Sequence, residues 1–196
     1  MNTDLVNQLK NGGIGIIPTD TIYGIVGSAL NPEVVEKIYF LRKRNPDKPF
    51  IILIGSMEEL EKFGIQLTQS QRDFLKSHWP NPLSVILPIH GNKFKYLHRG
   101  TNSLAFRMPK DEKLIKLLKE TGPLVAPSAN IEGEKPAENI DEAKEYFGND
   151  VDFYREAASS AYVDGELIKG EPSTLISLDH NGKFTILRQG SYKILI

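Results

Sequence analysis

The chain alternates short, β-branched apolar runs with capped amphipathic helical stretches, and that alternation confines it to the α/β class. Ile14–Ile17, Phe50–Ile54, Leu83–Leu87, Leu104–Phe106, Val125-Ala126, Val151–Tyr154, Thr174–Leu178 and Phe184–Leu187 read as strands. Between them, helical spacing follows recognisable starts. Thr3 precedes Leu5, Val6 and Leu9; Asn31-Pro32 precedes Val34, Val35, Ile38 and Leu41; Asp111 precedes Leu114, Leu117 and Leu118. Asp141–Phe147 is a further helix, and Ser56/Glu59 and Thr68/Gln71 have the spacing of capping boxes. The 196 residues contain no repeat, low-complexity tract or long linker, so one domain over 1–196 is expected. Ile131–Asn139 reads as a mobile loop.

Composition excludes several kinds of chemistry. There is no cysteine, hence no disulfide, thiolate metal site or cysteine nucleophile. His78, His90, His98 and His180 lack paired metal-ligand spacing, so no metal held only by protein ligands is expected. The net charge of −1 confines any nucleic-acid contact to a local patch. The N-terminus is too polar for a signal peptide, and Phe50–Ile54 falls far short of the ~20 apolar residues that span a bilayer. A soluble, cytoplasmic protein without membrane association is expected.

Polar residues recur where strands or helices give way to loops. The stretch after Ile17 carries Thr19, Asp20, Thr21 and Tyr23, more hydrogen-bonding groups than a turn needs. Arg42, Lys43, Arg44 and Lys48 place four cations in seven residues, interrupted by Pro46. A helix C-terminus tolerates basic residues, but Arg44 and Lys48 flank the turn that leads into a buried strand. Guanidinium forks and an ammonium suit a polyphosphate. Ser103 and Arg107 share one face of a strand, and a buried arginine needs an anion. Ser128 and Asn130 follow Val125-Ala126, and Ser173, Thr174 and Arg188 lie near the last strands. Ligands of open α/β sheets bind outside the carboxyl ends of strands. Neither a Walker loop nor GxGxxG is present.

The ordered set PTDTIYG, the arginine-rich turn ending in DKPF, WPNPLS, LAFRMP, APSAN, EPSTL and ILRQG resembles the YrdC-like family of threonylcarbamoyl-AMP synthases over about residues 10–190. The resemblance implies a twisted mixed parallel/antiparallel sheet with flanking helices and a concave positive cavity, in the short form without an additional C-terminal domain. It implies formation of threonylcarbamoyl-AMP and pyrophosphate from L-threonine, bicarbonate or CO2 and ATP, with Mg2+ carried on the ATP phosphates. A tRNA threonylcarbamoyl transferase would then take the product to tRNA.

By position, the resemblance makes Arg42 and Arg44 catalytic. It gives Thr21, Tyr23, Arg107, Ser128, Ser173 and Thr174 to threonine, and Arg44, Lys48, Ser103, Asn130 and Arg188 to ATP. The chain departs from the family pattern at Arg42, where a lysine is usual, at Asn81, where glycine is usual, and in the acidic stretch 131–138. The rival reading is a tRNA- or double-stranded-RNA-binding module of the same fold, with the basic turn on backbone phosphates. A third is carbamoyl transfer of the hydrogenase-maturation kind, whose zinc-finger regions a cysteine-free chain lacks.

Overall fold

The computed structural model describes residues 3–156 and 171–194, with the backbone of 162–163 and 166–167. Strands β1 (Gly15–Pro18) and β2 (Tyr23–Ser28) form an antiparallel hairpin, Gly15 opposite Val26 and Pro18 opposite Tyr23. The polar stretch Thr19–Ile22 is therefore the hairpin turn. The strand β2 is absent from the sequence reading, because two glycines and a polar start hide its alternation. Gly27 is required where the helix starting at Pro32 packs: a Cβ there would lie 2.4 Å from Val34 Cγ1.

The remaining strands are β3 (Ile51–Leu53), β4 (Leu83–Pro88), β5 (Ser103–Arg107), β6 (Leu124–Val125) and β7 (Phe153–Tyr154), then β10 (Thr174–Leu178) and β11 (Phe184–Arg188). A separate small hairpin pairs β8 (Tyr162–Val163) with β9 (Glu166–Leu167). The large sheet has the order β11-β10-β4-β5-β3-β6-β2-β1-β7. Pairs β1/β7, β3/β5 and β4/β10 are parallel and the rest antiparallel, so the mixed sheet expected from sequence is present.

Helices α1 (Thr3–Lys10), α2 (Pro32–Leu41), α3 (Gln69–His78), α4 (Lys95–His98), α5 (Glu112–Thr121) and α6 (Ile140–Phe147) flank it. Asn31 caps α2 by accepting from the Glu33 and Val34 amides. Thr68 and Gln71 form the full capping box of α3. Ser56 makes no such cap. Met57–Phe63 is a 3-10 helix, and the Glu59 carboxylate turns back to accept from the Gly55 amide at 2.7 Å and pair with Lys62. Both α4 and the helical start at Thr3 itself differ from the sequence reading; a single turn of α4 is too short for periodicity to declare it.

Alternation along the strands divides the core in two. Ile16, Ile25 and Ile52 join one apolar cluster, with α2, α3 and α6; Ile17, Val26 and Leu53 join the other, with α1 and α5. On the second face, α1 and α5 reach only one side of the sheet. The rung Ile51–Ala105–Ile86 runs beyond them and stays half-buried, whereas Ile52, Phe106 and Val85 on the first face are fully buried. That uncovered stretch of β3, β5, β4 and β10 forms the floor of a concavity.

Candidate functional site

The concavity encloses about 500 Å3. Ile51, Ala105, Ile86 and Leu175 make an apolar floor, and polar groups gather at both ends of β5. Ser103 and Arg107 are four positions apart, so the two ends lie about 13 Å apart along the strand.

At the Arg107 end, the guanidinium is 5 % exposed and pairs with the wholly buried Asp20 carboxylate at 3.2 Å. It also donates to Thr21 Oγ1 at 3.0 Å and Thr19 Oγ1 at 3.4 Å, while its Nε has no acceptor among the described residues. Thr19 Oγ1 donates to the Ile22 carbonyl and accepts from the Thr21 and Ile22 amides, so the hairpin turn is folded around this hydroxyl. Ser173, held by Ser84 at 2.8 Å, and Arg188, which donates to the Ser173 carbonyl at 2.9 Å, complete the end. Burial, and then repulsion from Arg107, lower the Arg188 pKa. Two arginines face one cavity, and only Arg107 is paired with a buried carboxylate, which leaves a place for an anion.

At the other end, Ser103 and Thr101 line the wall with Arg44, whose guanidinium stacks 5.5 Å from the Phe50 ring and donates to the Lys48 carbonyl at 3.2 Å. Lys48 lies outside the cavity wall, 58 % exposed, with its Nζ 2.8 Å from Glu132 Oε1.

Besides Lys48, four expected contacts take other positions. Arg42 is 1 % exposed and does not line the cavity: its Nε donates to the Asn130 carbonyl, and its Nη2 to Asn130 Oδ1 and to Ser128 Oγ, at 3.0, 3.0 and 3.1 Å. It holds the Ser128–Asn130 loop from beneath, and burial followed by repulsion from Arg44 lowers its pKa to about 10. Asn130 is likewise buried, its amide donating to the Ile131 and Glu134 carbonyls. Tyr23 follows cavity-lining Ile22 and precedes cavity-lining Gly24, so alternation turns its ring to the opposite core. Thr174 faces away between Ser173 and Leu175 and donates to the Tyr192 carbonyl at 2.6 Å. Thr21, Arg44, Ser103, Arg107, Ser128, Ser173 and Arg188 do meet at the cavity.

The loop expected to be mobile is tied at several points. The Glu132 amide donates to the Arg42 carbonyl and the Ala137 amide to the Ala129 carbonyl. Sequence reading gave no role to Thr19, Asp20, Phe50 or Ser84; the first two stood in the polar stretch, whereas Phe50 and Ser84 looked like ordinary strand residues.

An open mixed sheet whose bare concave face carries arginines at both ends of an apolar floor has the geometry of a pocket for an anionic small molecule. Residues 7–190 match the Sua5/YciO/YrdC family model, described as telomere recombination, and the chain belongs to that family. The threonylcarbamoyl-AMP synthase of Pyrococcus abyssi is 32% identical over 142 residues, covering 71% of this chain and 42% of that protein. The threonylcarbamoyl-AMP synthase of Cellvibrio japonicus is 29% identical, covering 74% of this chain and 78% of that one. The crystal structure of P. abyssi Sua5 complexed with L-threonine superposes with a TM-score of 0.82 at 29% identity, over 95% of this chain and 53% of that one. The chain thus spans about half the length of the Pyrococcus relative. Among the described residues, no helix is long and apolar enough to cross a membrane.

Proposed function

We propose that the chain is an L-threonylcarbamoyladenylate synthase, a nucleotidyl-transferring enzyme acting on L-threonine, bicarbonate or CO2 and ATP. The observation that carries this reading is the buried Arg107, beside Thr21 and Arg188, joined by one apolar-floored cavity to Arg44 and Ser103. Two separated cationic ends suit a ligand pair with a carboxylate at one end and phosphates at the other. The names of the relatives, and the threonine bound to the Pyrococcus structure, support the same assignment.

In this reading the neutral amine nitrogen of threonine bonds to the carbon of CO2 with loss of a proton, or to that of bicarbonate with loss of water, to give a carbamate. A carbamate oxygen then bonds to the α-phosphorus of ATP, and the bond to the pyrophosphate oxygen breaks. Arg107 and Thr21 take the threonine carboxylate and hydroxyl region, with Ser128 and Ser173 alongside. Arg44 and Lys48 offset phosphate charge as pyrophosphate leaves, while Arg188, expected on the ATP, lies at the Arg107 end against the Ser173 carbonyl. Arg42 acts through Ser128: by donating to Oγ, it leaves the serine proton to point at a ligand acceptor.

The cavity wall carries guanidiniums and hydroxyls without a carboxylate, and no cluster of metal-binding side chains occurs among the described residues. That donor set suits phosphate more than a bare cation, so magnesium is proposed to arrive on the ATP phosphates, where it neutralises charge. Passage of the product to a tRNA threonylcarbamoyl transferase, and a cytoplasmic location, belong to the same proposal. The test is pyrophosphate release from ATP and bicarbonate, with and without L-threonine. Threonine-dependent release is the expected result; release independent of threonine, or none, would overturn the reading.

A further inference from the structure

Glu132, the first acidic residue of the loop after Asn130, sits on the donors that the reading above gives to phosphate. Glu132 Oε1 accepts from Lys48 Nζ at 2.8 Å and stands 3.9 Å from Arg44 Nη1, and Oε2 accepts from the Asn45 amide. One carboxylate thus takes an ammonium and a backbone N–H and adjoins a guanidinium, the set of partners a terminal phosphate group would use.

The loop's attachment is independent of that carboxylate. Its base is fixed by the Glu132 amide on the Arg42 carbonyl and by the Asn130 side chain on two carbonyls. Rotation about the Glu132 side-chain bonds is enough to release the cations, with the backbone in place. The Glu132 side chain is 22 % exposed and Lys48 is 58 % exposed, so the contact is a solvent-screened one that a multiply charged anion can displace. Hydrogen bonds from Lys48 and the Asn45 amide hold the Glu132 carboxyl below its ordinary range, which keeps it anionic at neutral pH.

We propose that Glu132 is an internal competitor for polyphosphate: it occupies the Arg44–Lys48 turn in the free protein, yields it to an incoming polyphosphate, and retakes it as pyrophosphate leaves. The proposal rests on the nucleotide reading and adds a residue that sets how firmly the leaving group is held. A merely structural tether predicts the opposite response, because loosening the loop would weaken the site.

The experiment is calorimetric titration of inorganic pyrophosphate, and separately of L-threonine, into the wild-type protein and into Glu132→Gln and Glu132→Ala variants. If the competing contact is closed in about nine molecules of ten, removing its charge tightens pyrophosphate binding about tenfold. L-threonine affinity is expected to stay within about twofold, since its end of the cavity is untouched. Pyrophosphate binding that is equal or weaker in both variants would overturn the competitor role and leave the nucleotide reading standing. No pyrophosphate binding by any of the three proteins would remove both.

Discussion

Arg42 and Asn130 are joined twice, the arginine Nε donating to the asparagine carbonyl and Nη2 to its side-chain oxygen, each at 3.0 Å. The pair lies beneath the cavity, and its third hydrogen bond reaches Ser128, which lines the wall. A basic residue at a helix end has become the support for a loop 88 positions away.

Replacing Arg42 by lysine tests that support. One ammonium cannot occupy the positions of both Nε and Nη2, and the buried acceptors left without a partner cost about 1–3 kcal/mol each. Arg42→Lys is therefore expected to lower the urea midpoint and to reduce threonine-dependent pyrophosphate release together. A variant with full stability and selectively lost turnover would instead place Arg42 against substrate.

Arg44→Ala should behave differently. The side chain is 21 % exposed and its contacts are the Phe50 ring, the Lys48 carbonyl and Glu132, so its loss is expected to change stability by less than about 1 kcal/mol. ATP affinity and turnover should fall by at least about tenfold, the effect of losing one charge-assisted contact. Near-normal turnover would remove Arg44 from the site.

Thr21→Val keeps the shape of the hairpin turn and removes the hydroxyl that accepts from Arg107 Nη1. The guanidinium, already without a partner at Nε, would then lose a second acceptor. Threonine binding is expected to weaken about 10- to 100-fold, corresponding to one lost buried hydrogen bond, with ATP affected less. Equal loss of both affinities would contradict a threonine end at Arg107.

These sites were legible to different depths for physical reasons. Arg107 and Ser103 announced themselves, because an arginine on a strand between Phe106 and Met108 is costly without an anion, and strand alternation puts both residues on one face. The hairpin turn was legible as too polar for its length, but not that Thr19 is its hub, since a hydroxyl accepting three donors has no sequence signature. Alternation also decided Tyr23 and Thr174: each is one position out of phase with a cavity residue, and positional likeness to a family could not settle the phase. The resemblance puts Arg42 at the substrate because it stands where the family has a lysine; its burial depends on Asn130, which sequence distance conceals. Glu132 was noted only as a departure in charge, and its meaning required Lys48 and Asn45 beside it.

Gly190 gives a backbone test of the Ser173 end. A Cβ there would lie 2.1 Å from the Pro172 carbonyl oxygen and 2.5 Å from the Ser173 carbonyl carbon, so main chain must move. The Gly190 amide also donates to Thr174 Oγ1 at 3.0 Å. Gly190→Ala is expected to cost about 1–3 kcal/mol and to weaken threonine binding by displacing Ser173 and the acceptor of Arg188. An alanine variant with unchanged stability and affinity would show that this segment does not set the position of Ser173.

The last prediction concerns pH. His78 Nδ1 lies 3.1 Å from the Tyr192 hydroxyl, and the Tyr192 carbonyl receives the Thr174 hydroxyl, so the histidine helps seat the segment behind the threonine end. Burial lowers its pKa from the ordinary value of 6.5. A base whose pKa is lower folded than unfolded binds more protons when unfolded, below that ordinary value. Its contribution is thus full above pH 6.5 and declines as pH falls from there through the folded-state pKa. Carboxylates titrate at lower pH, so comparison with a His78→Gln variant isolates the share. Urea midpoints measured at about pH 8 and pH 5.5, on either side of the histidine range, should fall further in the wild type than in the variant. The same drop in both proteins would mean that His78 keeps its charge equilibrium on unfolding, and that the Tyr192 contact does not depend on the neutral ring.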